Sequence, residues 1–370
     1  MTPGTLPAPT SLHGVRRIWG IRTLANDRFI VAAVAVVSAL LVLGDLTAPD
    51  WLGFHLRNYA WALERSLTGQ PIYLVPLPHA PAAFPIYYTP PPYAALLGGQ
   101  LAAYPVAWSL LNLGAVAAAL ALVVRTLPAA VRERLGPAGG GLLALLATVG
   151  FAPAITVAAL GDQMGIVSLG IAFAWWAERL DRPIPGGLGL GLAAALKLFP
   201  GLALVRTLAR GEVRALLGAA AVGALLVVAS LPFMGASIYG DFLSASFRRI
   251  EEVAGRGFNL APSGLFPSPW SYALLLGGAA LIAWSARRDP PRVSFARATV
   301  VAVAAWPVAW LQYACVALVA MAATLGPRTW RWYAFAFVLF GIANPITFAL
   351  ASAIIAWAAG RAEPEDAGAS

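Results

Sequence analysis

Apolar runs recur along this chain from Phe29 to Ala359, separated by short loops that carry Arg, Pro and Gly. A chain built this way has no continuous polar face to turn towards water, so lipid must serve as its solvent. The runs have helical length and no alternating pattern. They predict an all-α polytopic membrane protein with about 10–12 transmembrane helices. Charge supports this: only 11% of the 370 residues are charged, against about 25% in a soluble domain.

The net charge of +9 does not point to nucleic acid, because the arginines sit at the ends of apolar runs and not along one polar face. They read as topology signals. Arg16, Arg17, Arg22 and Arg28 place the N-terminus in the cytoplasm and make residues 29–44 a retained first span, not a cleaved signal. Residues 45–91 are then a long outer-face loop, and 235–270 a second. Arg125, Arg132, Arg134, Arg179, Arg182, Arg287, Arg288 and Arg361 mark the cytoplasmic side. Tails at 1–27 and 361–370 have the composition of disordered segments, and residues 28–360 form the transmembrane domain. Within the first outer loop, residues 51–67 predict an amphipathic interfacial helix. Trp51, Phe54, Tyr59, Trp61 and Leu63 would lie at the interface, with Arg57, Glu64 and Arg65 towards water.

Residues 186–205 are long enough for one crossing, yet arginines flank both ends. A single span would leave one cluster on the wrong side, so the segment predicts two half-helices that break around Lys197-Leu198-Phe199-Pro200 and return. Lys197 is the only lysine in the chain. An ammonium inside apolar sequence is costly unless paired or facing a cavity, and at a helix break it suits the phosphate of a lipid-linked donor. Other polar residues that stand out are Asp50 and His55 in the first loop, Asp162 and Gln163 in a turn after Gly161, and Arg248, Arg249, Arg256 and Asn259 in the second loop. Trp310, Gln312 and Tyr313 end a later run. Asp50 is equally a helix-start anion, while Asp162 after Gly161 reads first as a plain turn residue and second as a substrate contact. There is no phosphate-binding glycine loop, no Ser-His-Asp arrangement and no cysteine cluster. The three histidines have no metal-site spacing, and the sole cysteine, Cys315, excludes an internal disulfide. A membrane enzyme without a soluble domain must take its donor from the lipid phase, and no motif here calls for a cofactor or metal.

Several segments, in order, resemble glycosyltransferase family 87, polytopic GT-C enzymes of the mannosyltransferase type. Tyr59-x-x-Ala62 followed by Gly69-Gln70-Pro71-Ile72-Tyr73 looks like the first-loop motif. Tyr88-Thr89-Pro90-Pro91-Pro92 looks like the Tyr-Pro-Pro segment, and Gly161-Asp162-Gln163-Met164 is similar to the Gly-Gln-x-Asn turn. Gly191-Leu-Ala-Ala-Ala-Leu-Lys197-Leu-Phe-Pro200 looks like the Gly…Lys…Pro helix. Asn259 to Ser263 resembles an Asn-x-Ser, and Pro307-Val-Ala-Trp310-Leu-Gln312-Tyr313 a Pro-x-x-Trp-x-His-Tyr. Two positions depart. The family's acid, four residues before the tyrosine, is His55 here, and its later histidine is Gln312.

The resemblance implies a GT-C-like bundle, and the short loops and high Ala, Gly and Arg usage suit a bacterial plasma membrane. It would transfer a hexose such as mannose, with inversion, from a polyprenyl-phosphate donor to a lipid or glycan acceptor at the outer face. Asp50 is then the candidate base, with His55 the alternative at the acid slot. Lys197, Arg248, Arg249 and Arg256 would hold the donor phosphate. Tyr59, Tyr88, Asp162, Gln163, Asn259, Gln312 and Tyr313 would contact sugar. Two other readings stay open: a lipid or solute transporter, and a family member that binds polyprenyl lipid without turnover.

Overall fold

The computed structural model describes residues 53–77, 87, 89–99, 103–253, 259–266 and 269–362. The first apolar run and both terminal tails up to residue 27 and beyond 362 lie outside these residues. The described residues form fifteen α-helices: α1 (Phe54–Leu67), α2 (Pro91–Leu97), α3 (Pro105–Val124), α4 (Ala129–Val149), α5 (Ala152–Leu160), α6 (Met164–Arg179), α7 (Pro183–Leu196), α8 (Pro200–Ala209), α9 (Val213–Met234), α10 (Ile238–Val253), α11 (Trp270–Arg288), α12 (Pro291–Ala304), α13 (Cys315–Ala323), α14 (Trp330–Gly341) and α15 (Pro345–Ala359). Several begin on a proline, because a residue with φ already near −65° and no N–H to satisfy suits the first helical position.

The protein is an all-α polytopic membrane protein. Its surface is that of a chain in lipid: Leu217, Leu225 and Val228 on α9 are all more than half exposed. Helix length alone, however, does not reach the expected ten to twelve spans. Among the described residues, α3 and α9 are long and apolar enough to cross singly. Leu143–Val149 with α5 makes a third across a 65° bend. Proline and glycine cut the other apolar runs into shorter helices, such as the 9-residue α13, whose side chains are nearly all buried by neighbours. The apolar sequence at 140–160 shows the same effect. Its helix starts at Ala129, kinks at Gly136 and breaks at Gly150 and Phe151.

The helix expected at 51–67 is present as α1, but not as an interfacial helix. Phe54, Leu56, Tyr59 and Ala62 are buried against protein, so its aromatic face is satisfied by the bundle and not by headgroups. The second long loop likewise contains a helix, α10, and a 3₁₀ turn at Pro262–Leu265.

Helices α3, α6, α7 and α9 pack side by side in a row. Glycines permit this, since small residues let backbones approach where lipid supplies no hydrophobic drive. A Cβ on Gly187 of α7 would lie 2.0 Å from the Ala215 carbonyl oxygen of α9, and one on Gly165 of α6 2.2 Å from that of Asn112 on α3.

The 186–205 segment breaks where the flanking arginines require. Helix α7 ends at Leu196, Lys197 is extended (φ −140°, ψ 134°), and α8 begins at Pro200. Pro200 has no N–H to continue the ladder, and its ring clashes with the preceding turn. Arg179 and Arg182 before α7, and Arg206 and Arg210 after the break, line one common cavity. The chain therefore leaves this arginine pole along α7 and returns to it along α8. At a rise of ~1.5 Å per residue, 14 residues carry Lys197 about 21 Å from the arginines.

Gly187→Ala should lower the unfolding temperature and the yield of monodisperse protein, since that overlap forces the row apart at about 1–3 kcal/mol. Gly114→Ala in α3 meets nothing within 4 Å and should be neutral or slightly stabilising. Thermal unfolding in detergent separates the two.

Candidate functional site

Helix α5 ends at Gly161, whose φ of +68° is one that a residue with a Cβ rarely adopts. This turn aims Asp162 back into the bundle, where it is fully buried. Trp108 Nε1 donates to the Gly161 carbonyl at 3.0 Å, and the Asp162 N–H to the Val157 carbonyl at 3.0 Å. The carboxylate then collects partners from across the chain. Its Oδ1 accepts from the Met164 N–H at 3.0 Å. Its Oδ2 accepts from Lys197 Nζ at 3.2 Å and from Gln312 Nε2 at 3.3 Å, and lies 3.6 Å from His55 Nε2. Lys197 comes from the helix break, Gln312 from a 3₁₀ turn at Leu311–Ala314, and His55 from the first turn of α1. That turn is tied in place by the Gly53 N–H, which donates to the Ala159 carbonyl at 2.9 Å.

A layer of aromatic and amide groups surrounds this centre. Tyr59 Oη donates to Gln163 Oε1 at 2.5 Å, and the Tyr59 ring stacks on Tyr93 at 5.4 Å. Lys197 Nζ stands 5.0 Å from the centroid of the Tyr313 ring, a distance at which the ring quadrupole stabilises a cation. Phe199 stacks on the same Tyr313 ring at 5.0 Å. Lys197, Arg249, Trp306, Tyr313, Thr89 and Ser246 then line a small cleft of about 70 Å³. Arg249 is buried, with its guanidinium 5.7 Å from the Trp310 ring and 3.8 Å from Glu252.

The electrostatics follow from burial and pairing. Burial opposes the charge on Asp162, but the Lys197 ammonium, the neighbouring His55 and the hydrogen bonds from Lys197 and Gln312 outweigh it, holding the carboxyl below its usual range. Burial drives the His55 imidazole down to about 4 against the pull of Asp162, and Lys197 adds to the depression. His55 is thus neutral at neutral pH beside an ionised carboxylate.

Of the residues singled out from sequence, the fold brings His55, Tyr59, Asp162, Gln163, Lys197, Gln312 and Tyr313 into one cluster, with Arg249 at its edge. Arg248 points away: it is 63% exposed and pairs with Glu252 at 3.1 Å, as i,i+4 neighbours on a helix surface do. Asn259 acts as a clip. Its Nδ2 donates to the Pro307 carbonyl at 2.8 Å, and its Oδ1 accepts from the Ala261 and Ala309 N–H groups at 3.1 and 3.0 Å. That use of both amide ends ties the second loop to the Gln312 turn. Asp50, Tyr88 and Arg256 lie outside the described residues. Sequence reading missed Tyr93, Trp306 and Ser246. Tyr93 directly follows the proline run and Trp306 precedes Pro307, but nothing local distinguishes either from an interfacial aromatic.

The family model for glycosyltransferase family 87 matches residues 86–342, more than half of the chain. The chain belongs to that family. It is a membrane glycosyltransferase, acting on a sugar donor and an acceptor. Neither curated proteins nor solved structures give a match. The match takes in Asp162, Lys197, Arg249 and Gln312 of this glycosyltransferase, while His55 and Tyr59 lie ahead of it.

Breaking one side of a buried pair leaves an uncompensated charge at a cost of about 3 kcal/mol or more. Asp162→Asn and Lys197→Met should each lower the unfolding temperature sharply, and the double variant should lose clearly less than the two losses added together. His55 supplies a pH test. Its folded value of about 4 lies below the ordinary 6.5, so its contribution is complete above 6.5 and is lost as pH falls towards 4. Unfolding measured across that window should be flatter for His55→Gln than for the native enzyme.

Proposed function

We propose that this glycosyltransferase transfers a hexose, most simply mannose, from a polyprenyl-phosphate donor to a lipid or glycan acceptor, with inversion at the anomeric carbon, in a GT-C-like bundle. The Asp162 end faces the outside of a bacterial plasma membrane and the arginine pole faces the cytoplasm, following the positive-inside rule. One observation carries the donor class. The cationic cleft of Lys197 and Arg249 shares Pro90, Leu198 and Phe242 with an apolar groove of about 470 Å³ that runs along Gly191, Ala219, Ala220 and Gly223. A phosphate fits the first and a prenyl chain the second, and the two meet at Leu198.

The chemistry then follows from charge. The acceptor oxygen attacks the anomeric carbon from the side opposite the phosphate. As the bond from that carbon to the phosphate oxygen breaks, Lys197 and Arg249 take up the negative charge on the leaving polyprenyl phosphate, stabilising charge where it develops. No metal is needed for this, because fixed cations neutralise the phosphate. The acceptor hydroxyl gives its proton to a base. Asp50 and His55 remain the two candidates of the first loop; His55 is neutral, and Asp162 at 3.6 Å would face the imidazolium it becomes. Tyr59, Gln163, Gln312 and Tyr313 orient sugar hydroxyls around that centre.

Purified enzyme in liposomes containing polyprenyl-phosphate mannose should release polyprenyl phosphate and form a glycosylated acceptor. Lys197→Ala should reduce turnover by about 100-fold or more, in the range for losing a group that stabilises transition-state charge. Comparing His55→Ala with Asp50→Asn identifies the base: the variant of the true base loses kcat at unchanged donor binding. Unchanged transfer by Lys197→Ala would sink the site assignment, and donor binding without transfer by the native chain would favour a non-catalytic lipid binder. Gly223 offers a test of the groove, since a Cβ added there would meet nothing within 4 Å. Gly223→Phe should raise KM for a long prenyl donor several-fold and leave kcat almost unchanged.

A further inference from the structure

The proposed reaction leaves unused a cavity of about 290 Å³ at the arginine pole. It lies at the far end of α6 from Asp162, about 24 Å away at ~1.5 Å per residue. Its wall is built and not incidental. Arg206 is 5% exposed and donates through Nη1 and Nη2 to both oxygens of Glu178 at 2.8 and 2.7 Å, and through Nε to Ser294 Oγ at 3.0 Å. Arg210 Nε donates to Glu212 at 2.6 Å. These two arginines are committed to carboxylates in the wall.

Arg179 and Arg182 stand at the rim. Both are exposed, and both line the same cavity, with Asp181 the one further acid in its lining. The Arg179 guanidinium lies 5.6 Å from the Trp175 ring, which holds it beside the opening. The mouth is therefore net cationic. The positive ends of α7, α9 and α12 also reach this cavity, at Pro183, Ala215 and Pro291, against the negative ends of α6 and α8. Further in, the lining turns apolar, with Ile171, Leu190, Leu204 and Phe295. A small soluble anion would match only the mouth. A molecule with an anionic head and an apolar body matches both halves, and a mouth at the end of the apolar helices meets headgroups directly.

We infer that the arginine-pole cavity binds the phosphate headgroup of an anionic membrane phospholipid, with Arg179 and Arg182 at the headgroup and the α6–α12 wall along the first acyl carbons. This is a second lipid site, separate from the cleft of Lys197, and it does not depend on which donor the enzyme uses. The shared chemistry is a lipid phosphate, which a prenyl phosphate also carries, so the test must tell the two sources apart.

Full-length protein is placed in phosphatidylcholine nanodiscs with or without phosphatidylglycerol. Lipid retained after extraction is quantified by mass spectrometry, and unfolding is followed in parallel. Phosphatidylglycerol should be retained at about one molecule per chain above background and should raise the unfolding temperature. The Arg179→Ala/Arg182→Ala double variant should bind it about tenfold more weakly. The Arg179→Lys/Arg182→Lys variant, which keeps the charge, should recover part of the loss and shows that the fold tolerates change there. Sugar transfer in plain phosphatidylcholine should be the same for native and double-variant protein, which separates this site from the proposed reaction. Equal retention by the double variant overturns the inference. So does displacement of phosphatidylglycerol by equimolar polyprenyl monophosphate, which would assign the cavity to donor lipid. An equal thermal shift from inorganic phosphate alone would also overturn it, by reducing the site to a soluble anion's.

Discussion

A lysine ammonium and an aspartate carboxylate, 3.2 Å apart and both shielded from solvent, organise one end of this bundle. Neither charge is tolerable alone in such surroundings, since an unpaired ion in a low-dielectric interior costs several kcal/mol. Each therefore constrains the backbone that carries it. Lys197 must sit at the apex of the α7–α8 hairpin, and Asp162 must turn inward from the α5–α6 junction. Gln312 and His55 complete the same carboxylate, so the 3₁₀ turn and the start of α1 are drawn to the same point. Four separate stretches of chain are registered against each other through one carboxylate.

The two poles divide the electrostatic work. At one, arginines collect around Glu178 and Glu212 where helices begin and end. At the other, two cations, Lys197 and Arg249, face aromatic rings and a narrow cleft. Between them run helices that are apolar inside and out, with glycines at the crossings. Charge is confined to the ends because only there can water, headgroups or a matched partner offset its desolvation. The apolar groove beside Leu198 adjoins the cationic cleft, sharing Pro90, Leu198 and Phe242 with it.

The departures from the family pattern make sense once the chain is folded. Sequence alone suggests that an expected acid is missing at His55 and an expected histidine missing at Gln312. In space, His55 and Gln312 both approach one carboxylate oxygen of Asp162. In this chain a carboxylate and an imidazole still lie side by side, supplied by Asp162 and His55.

The sequence by itself determined that this chain lives in lipid, that it is all-helical, and that it turns back at Lys197, because composition, period and the arginines flanking 186–205 are local properties. Proline stands at the first position of six of the fifteen described helices. What the sequence did not determine was the fate of α1, whose aromatic stripe looks the same whether it meets headgroups or the Tyr93 face of a bundle. Nor did it decide the role of Asp162, as a turn acid and a buried ligand for Lys197 are written identically. Those questions turn on which segments lie within about 3 Å of one another. That separation is fixed by the glycine-lined packing of α3, α6, α7 and α9 and by the break before Pro200, and so only tertiary structure could decide them.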